Sequence, residues 1–470
     1  MPPPPSGRRR FHTSSKKNKK VPETADDFLD AGIEYEESGD RWKPGDKQKA
    51  LRFYNRAIEA YQSAIRLNPR SFDATYNKAR LEYKVSQERE FVPRGELLGL
   101  LETALQSHRE CMRLDPQNED ALFNTAQVHS SLADALLNSR DGDPTTLKPA
   151  AIEHLCTACE IFSKCLEKQE ALFASYSQPP PAIDETMEQD QETGGVSLPG
   201  QPSDDTMADA EDEQYAVIQE PVTLSTILDT LIELLTTLST LLPLLTSPSA
   251  TIATAESLLS DRLQALIPSL PERQTEIFIT AAVLRCAIAE SLFRSTSDVA
   301  KWEEAIAQAF GTDWKWQESA DALCAKSDAH ASLASAVAEP ALAWKHYAFS
   351  SQALGNAASL EPQKAKIYLA RGDTELIRSR IECPQRTGQV RDVLRKNAGV
   401  FYRGAARLAQ HKEADVKREA EVKEAVVRWE NGDRGVLDPR DAIARDIVQE
   451  ACDDEIFGAG IWERIVEASS

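Results

Sequence analysis

His154, Cys156 and Cys159 stand in the order His-x-Cys-x-x-Cys, and Cys165 follows within the same segment. These residue types ligate zinc, but zinc thiolate pairs usually sit on a turn that aims both sulfurs inward. Here the run lies in a helix-periodic stretch, where Cys156 and Cys159 share a face, and burial of small thiols accounts for all three cysteines. No metal site is expected. The chain has no G-x-x-x-x-G-K-[ST], and Gly458-Ala-Gly460 lacks a third glycine and a preceding strand. It has no H-E-x-x-H or G-x-S-x-G, and its 7 scattered histidines mark no Ser–His–Asp grouping. No catalysis and no cofactor are expected; an enzyme site within 222–340 is the remote alternative. Trp302, Trp314, Trp316 and Trp344 read as core rather than as a ligand cage.

With chemistry of that kind set aside, the charge becomes the informative feature. The chain has 470 residues, more than one ordinary domain, and 41% are hydrophobic, enough for a sizeable core. Acids outnumber bases 75 to 54, giving a net charge of -21. A field of that sign repels duplex nucleic acid and anionic lipid and attracts basic partners. Eight cysteines without regular spacing are not a disulfide framework.

Residues 1–23 form a basic tail expected to be disordered. Arg8-Arg9-Arg10 and Lys16-Lys17-Asn18-Lys19-Lys20 resemble a two-part nuclear import signal. The Arg- and Ser-rich run from Arg9 to Ser15 also resembles a mitochondrial processing site, although Pro2 to Pro5 cannot open the amphipathic helix a presequence needs. A solvated tail with no address is the third reading. The localisation expected is nucleus and/or cytoplasm, with mitochondria as the alternative. Val222 to Thr246 is rich in leucine, but Asp229 and Glu233 interrupt it and Pro243 follows. A buried helix explains it better than a membrane span, and no membrane partner is expected.

The elements that must carry any site are helical. Ala- and Leu-rich segments with i, i+3, i+4 spacing dominate, and no convincing alternating β-branched run occurs. Five regions separate by composition: the tail 1–23, helical repeats over 24–168, an acidic linker over 169–221, a second helical region over 222–427, and a tail 428–470 with short helices. The linker holds 13 acidic residues and no Lys or Arg, so disorder is expected. It could be a tether or a shield for the basic client.

Two units repeat. Arg66-Leu67-Asn68-Pro69 leads into Phe72-Asp73-Ala74-Thr75-Tyr76-Asn77-Lys78-Ala79, and Arg113-Leu114-Asp115-Pro116 leads into Glu119-Asp120-Ala121-Leu122-Phe123-Asn124-Thr125-Ala126. The prolines are 47 residues apart, longer than the common period of about 34, which predicts an extended loop within each pair. Ahead of each proline, Ala57, Tyr61, Ala64 and Pro69 are spaced 4, 3 and 5, as are Ala104, His108, Cys111 and Pro116. Ala158, Phe162, Cys165 and Ala398, Tyr402, Ala405 repeat the first two steps. Phe28 to Gly32 and Tyr368 to Gly372 place an aromatic four residues before a glycine.

This pattern resembles the tetratricopeptide repeat, in degenerate form and with no subfamily identified; Ala79 and Ala126 replace its glycine, and Thr75 and Leu122 its tryptophan. The resemblance covers 24–168 well and 340–410 in part, whereas 222–340 reads as helices without a clean repeat. It implies an all-α solenoid of helical hairpins whose first helices line a groove. Positions facing that groove map to Asp73, Tyr76, Asn77, Arg80 and Tyr83, then to Asp120, Phe123, Asn124 and Gln127. Asn77 and Asn124 would grip a peptide backbone, or satisfy local backbone groups instead. Some family members clamp the C-terminal carboxylate of heat-shock chaperones with cations, but only Arg80 is basic here. The resemblance and the charge together imply a non-catalytic scaffold or adaptor that binds a basic or apolar segment of a partner protein. A fixed structural subunit of a larger assembly is the alternative.

Overall fold

The computed structural model describes residues 21–177 and 221–469, except 89, 94, 140–142, 312–313, 383–387, 410–412 and 434–435. The basic tail and most of the acidic linker therefore lie outside the described residues. Among those described there is no strand, and the helices follow one another as antiparallel pairs. The first three are α1 (Ala25–Trp42) with α2 (Lys47–Leu67), α3 (Phe72–Ser86) with α4 (Leu97–Leu114), and α5 (Glu119–Leu137) with α6 (Pro144–Ser177). Next comes α7 (Leu224–Leu241), answered by a broken return of α8 (Ser249–Ser257), a π-helical turn (Leu258–Leu263) and α9 (Gln264–Leu266). Three pairs follow: α10 (Gln274–Thr296) with α11 (Val299–Ala309), α12 (Ala320–Ala336) with α13 (Pro340–Leu360), and α14 (Ala365–Arg380) with α15 (Gly388–Leu408). The stack ends in α16 (Ala414–Glu430), α17 (Ala442–Asp453) and α18 (Ile461–Ser469).

The turn between pairs explains the repeated Leu-Asx-Pro. Asn68 ends α2 in an extended conformation while its N–H still donates to the Ala64 carbonyl. Its Oδ1 accepts from the Arg70 N–H at 3.1 Å, and Ser71 then caps α3 by accepting from the Ala74 N–H. Asp115 and Asn118 do the same between α4 and α5. Side-chain oxygens thus satisfy the backbone groups that a helix end leaves open.

The first helices begin at 25, 72 and 119, then at 274, 320, 365 and 414. The 47-residue period is therefore real, but its extra length is not simply loop. The first turn is only 43–46, because Asp40 to Trp42 continue α1; the second loop is longer, 87–96. Gly39 explains the longer helix: a Cβ there would fall 2.4 Å from the Tyr54 ring, so glycine lets α1 run on against α2. α6 similarly continues to Ser177, past the boundary read at 168.

All twelve residues of the small–aromatic–small pattern, Ala57 to Ala405, are at most 1% exposed. Each aromatic or imidazole ring fills the space left where small side chains let paired helices approach. Three tyrosines seat on helical glycines in this way, Tyr61 on Gly32, Tyr54 on Gly39 and Tyr402 on Gly372.

The stretch read without a clean repeat, 222–340, holds α10, α11 and α12, paired as elsewhere in the stack, and the partner of α12, α13, lies in the part read as a partial repeat. Ser350, Leu354, Ala357 and Pro362 keep the 4, 3, 5 steps, with leucine in place of the aromatic. Ser350 is fully buried and pairs with the Ser327 hydroxyl at 2.8 Å, joining α13 to α12. α7 is the one helix among those described that is long and apolar enough to cross a membrane, and 56% of its Leu224–Leu244 window is buried. It shares a core with α5, α6 and α10, so the stack continues directly across the linker. Its Asp229 pairs with Arg273 at 2.7 Å, and its Glu233 lies 3.5 Å from Gln127. Helices α17 and α18 close the core of α14 to α16 through Val448, Phe457 and Trp462.

Candidate partner-binding face

The first helices lie side by side, and polar contacts one repeat apart tie them together. In α1, Glu36 is only 7% exposed and accepts from Arg80 of α3 on both oxygens at 2.8 Å. The Tyr61 hydroxyl donates to the same carboxylate at 3.2 Å, and Lys84 bridges to Asp40 at 2.6 Å. A buried carboxylate is tolerable because this cation and this hydroxyl satisfy it.

Between α3 and α5, Asn124 Nδ2 donates to the Tyr76 hydroxyl at 2.9 Å. Tyr76 stacks on Phe72 with ring centroids 5.7 Å apart, and burial raises its phenol pKa, with Asp120 adding to the effect. The Tyr83 hydroxyl lies 2.9 Å from that of Ser131, and burial pushes its pKa up to about 12. Phe123 meets Phe162 edge to face at 5.6 Å and packs against the core shared with α7. Gln127 Nε2 reaches Glu233 of α7 at 3.5 Å, and burial pushes the Glu233 carboxyl above the usual carboxylate range.

The structure gives the nine sequence-derived positions different employment. Tyr76, Arg80, Tyr83, Asn124 and Gln127 hold neighbouring first helices together, and Phe123 packs on Phe162 of α6. Asp73 and Asp120 are exposed in the first turns of α3 and α5, where the helix dipole favours acids. Asn77 is half-buried and makes no side-chain hydrogen bond among the described residues. Sequence reasoning missed Glu36, Ser131 and Glu233, whose partners lie one repeat or more away. The one available signal was Glu36, an acid a single helical turn beyond the glycine that seats Tyr61.

His154 faces α5 rather than the cysteines, its Nδ1 2.9 Å from that of His129. Burial holds the Cys159 thiol protonated, its pKa pushed up to about 12. Among the described residues no group of three His, Cys, Asp or Glu side chains could hold a metal ion. Trp302 and Trp344 are buried, and the indoles of Trp314 and Trp316 donate to the Ala309 and Gly311 carbonyls at 3.2 and 2.9 Å.

No protein-family model matches the chain. Over 69 residues it is 45% identical to UPF0656 protein C926.02 of Schizosaccharomyces pombe, a match covering 15% of each chain. Over 62 residues it is 39% identical to the uncharacterized protein YNL193W of Saccharomyces cerevisiae, covering 13% of this chain and 11% of that one. The chain therefore spans well under a fifth of the length of these curated relatives. Among solved structures it is similar to the S. pombe nuclear import adaptor Nro1, at a TM-score of 0.29 and 10% identity, covering 84% of this chain and 99% of that one. It is also similar to yeast Tom70, at 0.24 and 12%, covering 93% and 73%. Superpositions this loose carry no argument; the all-α repeat architecture rests on the helices, turns and cores described above.

Proposed function

We propose that this protein is a non-catalytic interaction scaffold whose stacked first helices receive a basic or apolar segment of a partner protein. Asn77 carries the reading. It is a half-buried amide without a side-chain hydrogen bond among the described residues, close in sequence to exposed Asp73 and to Tyr76 of the Tyr76–Asn124 pair, and its free amide can offer both a donor and an acceptor to an extended backbone, the role the repeat resemblance implies. Asp73 and Asp120 give the same strip an acidic edge, and the net charge of -21 favours approach of a cationic segment. The same acids disfavour a chaperone's C-terminal carboxylate, since Arg80 is already engaged by Glu36. The alternative of a fixed subunit anchored by the leucine-rich helix has less support, because α7 spends its apolar faces inside the stack. The clustered cations of the first twenty residues suit nuclear import.

The test is affinity capture of partners from native extract with the full chain and with Asn77→Ala, at low and at high salt. The reading expects loss of at least one stoichiometric partner in the variant and weaker capture as salt rises. Retention of every partner by Asn77→Ala removes the groove assignment, and salt-independent capture removes the electrostatic part.

A further inference from the structure

Four of the seven histidines meet in pairs, one pair before the acidic linker and one after it. His129 of α5 faces His154 of α6 with Nδ1 atoms 2.9 Å apart, and His330 of α12 faces His346 of α13 at 3.1 Å. The two pairs occupy the same register. His129 and His330 are each the eleventh residue of a first helix, and His154 and His346 each stand four residues ahead of the small residue, Ala158 or Ser350, on the second. His129, His330 and His346 are buried, and His154 is half-buried. The charged groups facing the first pair are Arg109 and Glu102 of α4 and Glu153 of α6. Those facing the second are Glu303 of α11, Lys326 of α12 and Lys345 of α13, and Phe349 packs on both rings.

A contact between two Nδ1 atoms holds only if one carries a proton and the other offers a lone pair. It survives while both rings are neutral or while one is a cation. It fails when both are cations, because two N–H groups and two positive charges then meet at hydrogen-bond distance in a buried interface. Glu303 sets the order in the second pair. Its Oε1 lies 2.9 Å from His346 Nε2, so His346 donates there and takes the first proton with a carboxylate beside it. The second proton must go to His330, whose pKa burial holds down to about 4, with His346 and Lys326 adding to the effect. In the first pair Glu153 and Glu102 offset part of the burial that lowers the His154 pKa, whereas burial and His154 hold His129 down to about 4. We infer that each pair is a two-proton latch, closed while it holds at most one added proton and opened by the second, so that acid separates α5 from α6 and α12 from α13 while histidine-free hairpins stay shut. The α5–α6 latch lies on the helix that carries Asp120, Asn124 and Gln127, so its opening also disturbs the α3–α5 strip. That consequence, unlike the latch itself, rests on the proposed function.

Hydrogen exchange of the native full chain, read by mass spectrometry at pH 7.5 and 5 and corrected for the intrinsic rate at each pH, tests it. Protection in α12–α13 should fall about thirtyfold, the effect at pH 5 of one imidazole moved from about 6.5 to about 4, and α5–α6 should fall likewise. The histidine-free hairpins α1–α2, α10–α11 and α14–α15 should keep theirs. His330→Asn can turn either a donor or an acceptor to His346 but does not titrate, so it should abolish the fall in α12–α13 and leave that in α5–α6. His330→Phe should do the same by packing alone, should the asparagine variant lose the hairpin at pH 7.5. Glu303→Gln should steepen the fall from about one proton toward two, because the closed pair then holds the first proton less well. Asn77→Ala should leave both falls intact, so failure of the latch and failure of the strip are read separately. An equal loss of protection in the histidine-free hairpins, no loss in α12–α13, or an undiminished fall in both His330 variants overturns the inference.

Discussion

Replacing Gly32 by alanine puts one methyl group where the Tyr61 ring already lies. The new Cβ would stand 2.4 Å from Tyr61 Cε1 and 2.5 Å from Cδ1. The ring must retreat by about 1 Å to restore ordinary contact. It has no free space, being fully buried in a core with Tyr54, Ala57 and Leu81, and retreat stretches its hydroxyl bond to Glu36. Overpacking of this kind costs about 1–3 kcal/mol, and the strained hydrogen bond adds about 1. Alanine returns about 1 kcal/mol of helix propensity, so the net loss is about 1–3 kcal/mol. Gly355→Ala is the control: its nearest neighbour, the Arg371 guanidinium, is 4.0 Å away, so alanine there should stabilise by about 0.5–1 kcal/mol. Native-state hydrogen exchange resolves the effect repeat by repeat, which suits a stack whose repeats need not melt together. Protection should fall in α1 and α2, and Gly32→Ala/Tyr61→Leu should cost less than the sum of its parts. If Gly32→Ala stabilises as Gly355→Ala does, the glycine–tyrosine seat does not hold the hairpin.

Other outcomes follow from buried polar groups. Burial pushes the imidazoles of His108, His129 and His330 down to about 4. Unfolded imidazoles take up protons near 6.5, so the unfolded state binds more protons between those values and stability must fall as pH drops from about 6.5 toward 4, by roughly 3 kcal/mol per residue at the lower end. Thermal midpoints at pH 7.5 and 5 check this, and His108→Phe should flatten part of the slope. Lys423→Met leaves Asp373 without the ammonium 2.9 Å away and should cost about 3–5 kcal/mol by urea unfolding, largely recovered when Asp373→Asn is added. Tyr76→Phe removes the acceptor of Asn124 and should lower exchange protection where α3 meets α5 by about 1 kcal/mol.

The repeats were legible because their chemistry is local. Leu-Asx-Pro closes one helix and opens the next within five residues, and the 4, 3, 5 spacing marks one buried helix face. α12 read as a helix without a repeat, and its partner α13 only as part of one, because Ser350 and Leu354 satisfy the same packing with different chemistry, a hydroxyl pair and an aliphatic knob. The 47-residue period was visible, but not where the extra residues go: Gly39 extends α1 only because Tyr54, on another helix, needs the space. The first helices α3 and α5 were legible as helices, whereas the bonds between them were not. Asn124 meets Tyr76 and Arg80 meets Glu36 across 48 and 44 residues, distances at which no local pattern announces a partner.

Site-specific photo-cross-linking of the full chain in native extract, with the probe at Asn77 on the first-helix face or at exposed Val393 on α15, tests the central claim most directly. The account predicts mass-spectrometric identification of a lysine- or arginine-bearing segment of a partner protein joined to position 77 and not to position 393. A partner captured only through position 393 would contradict it.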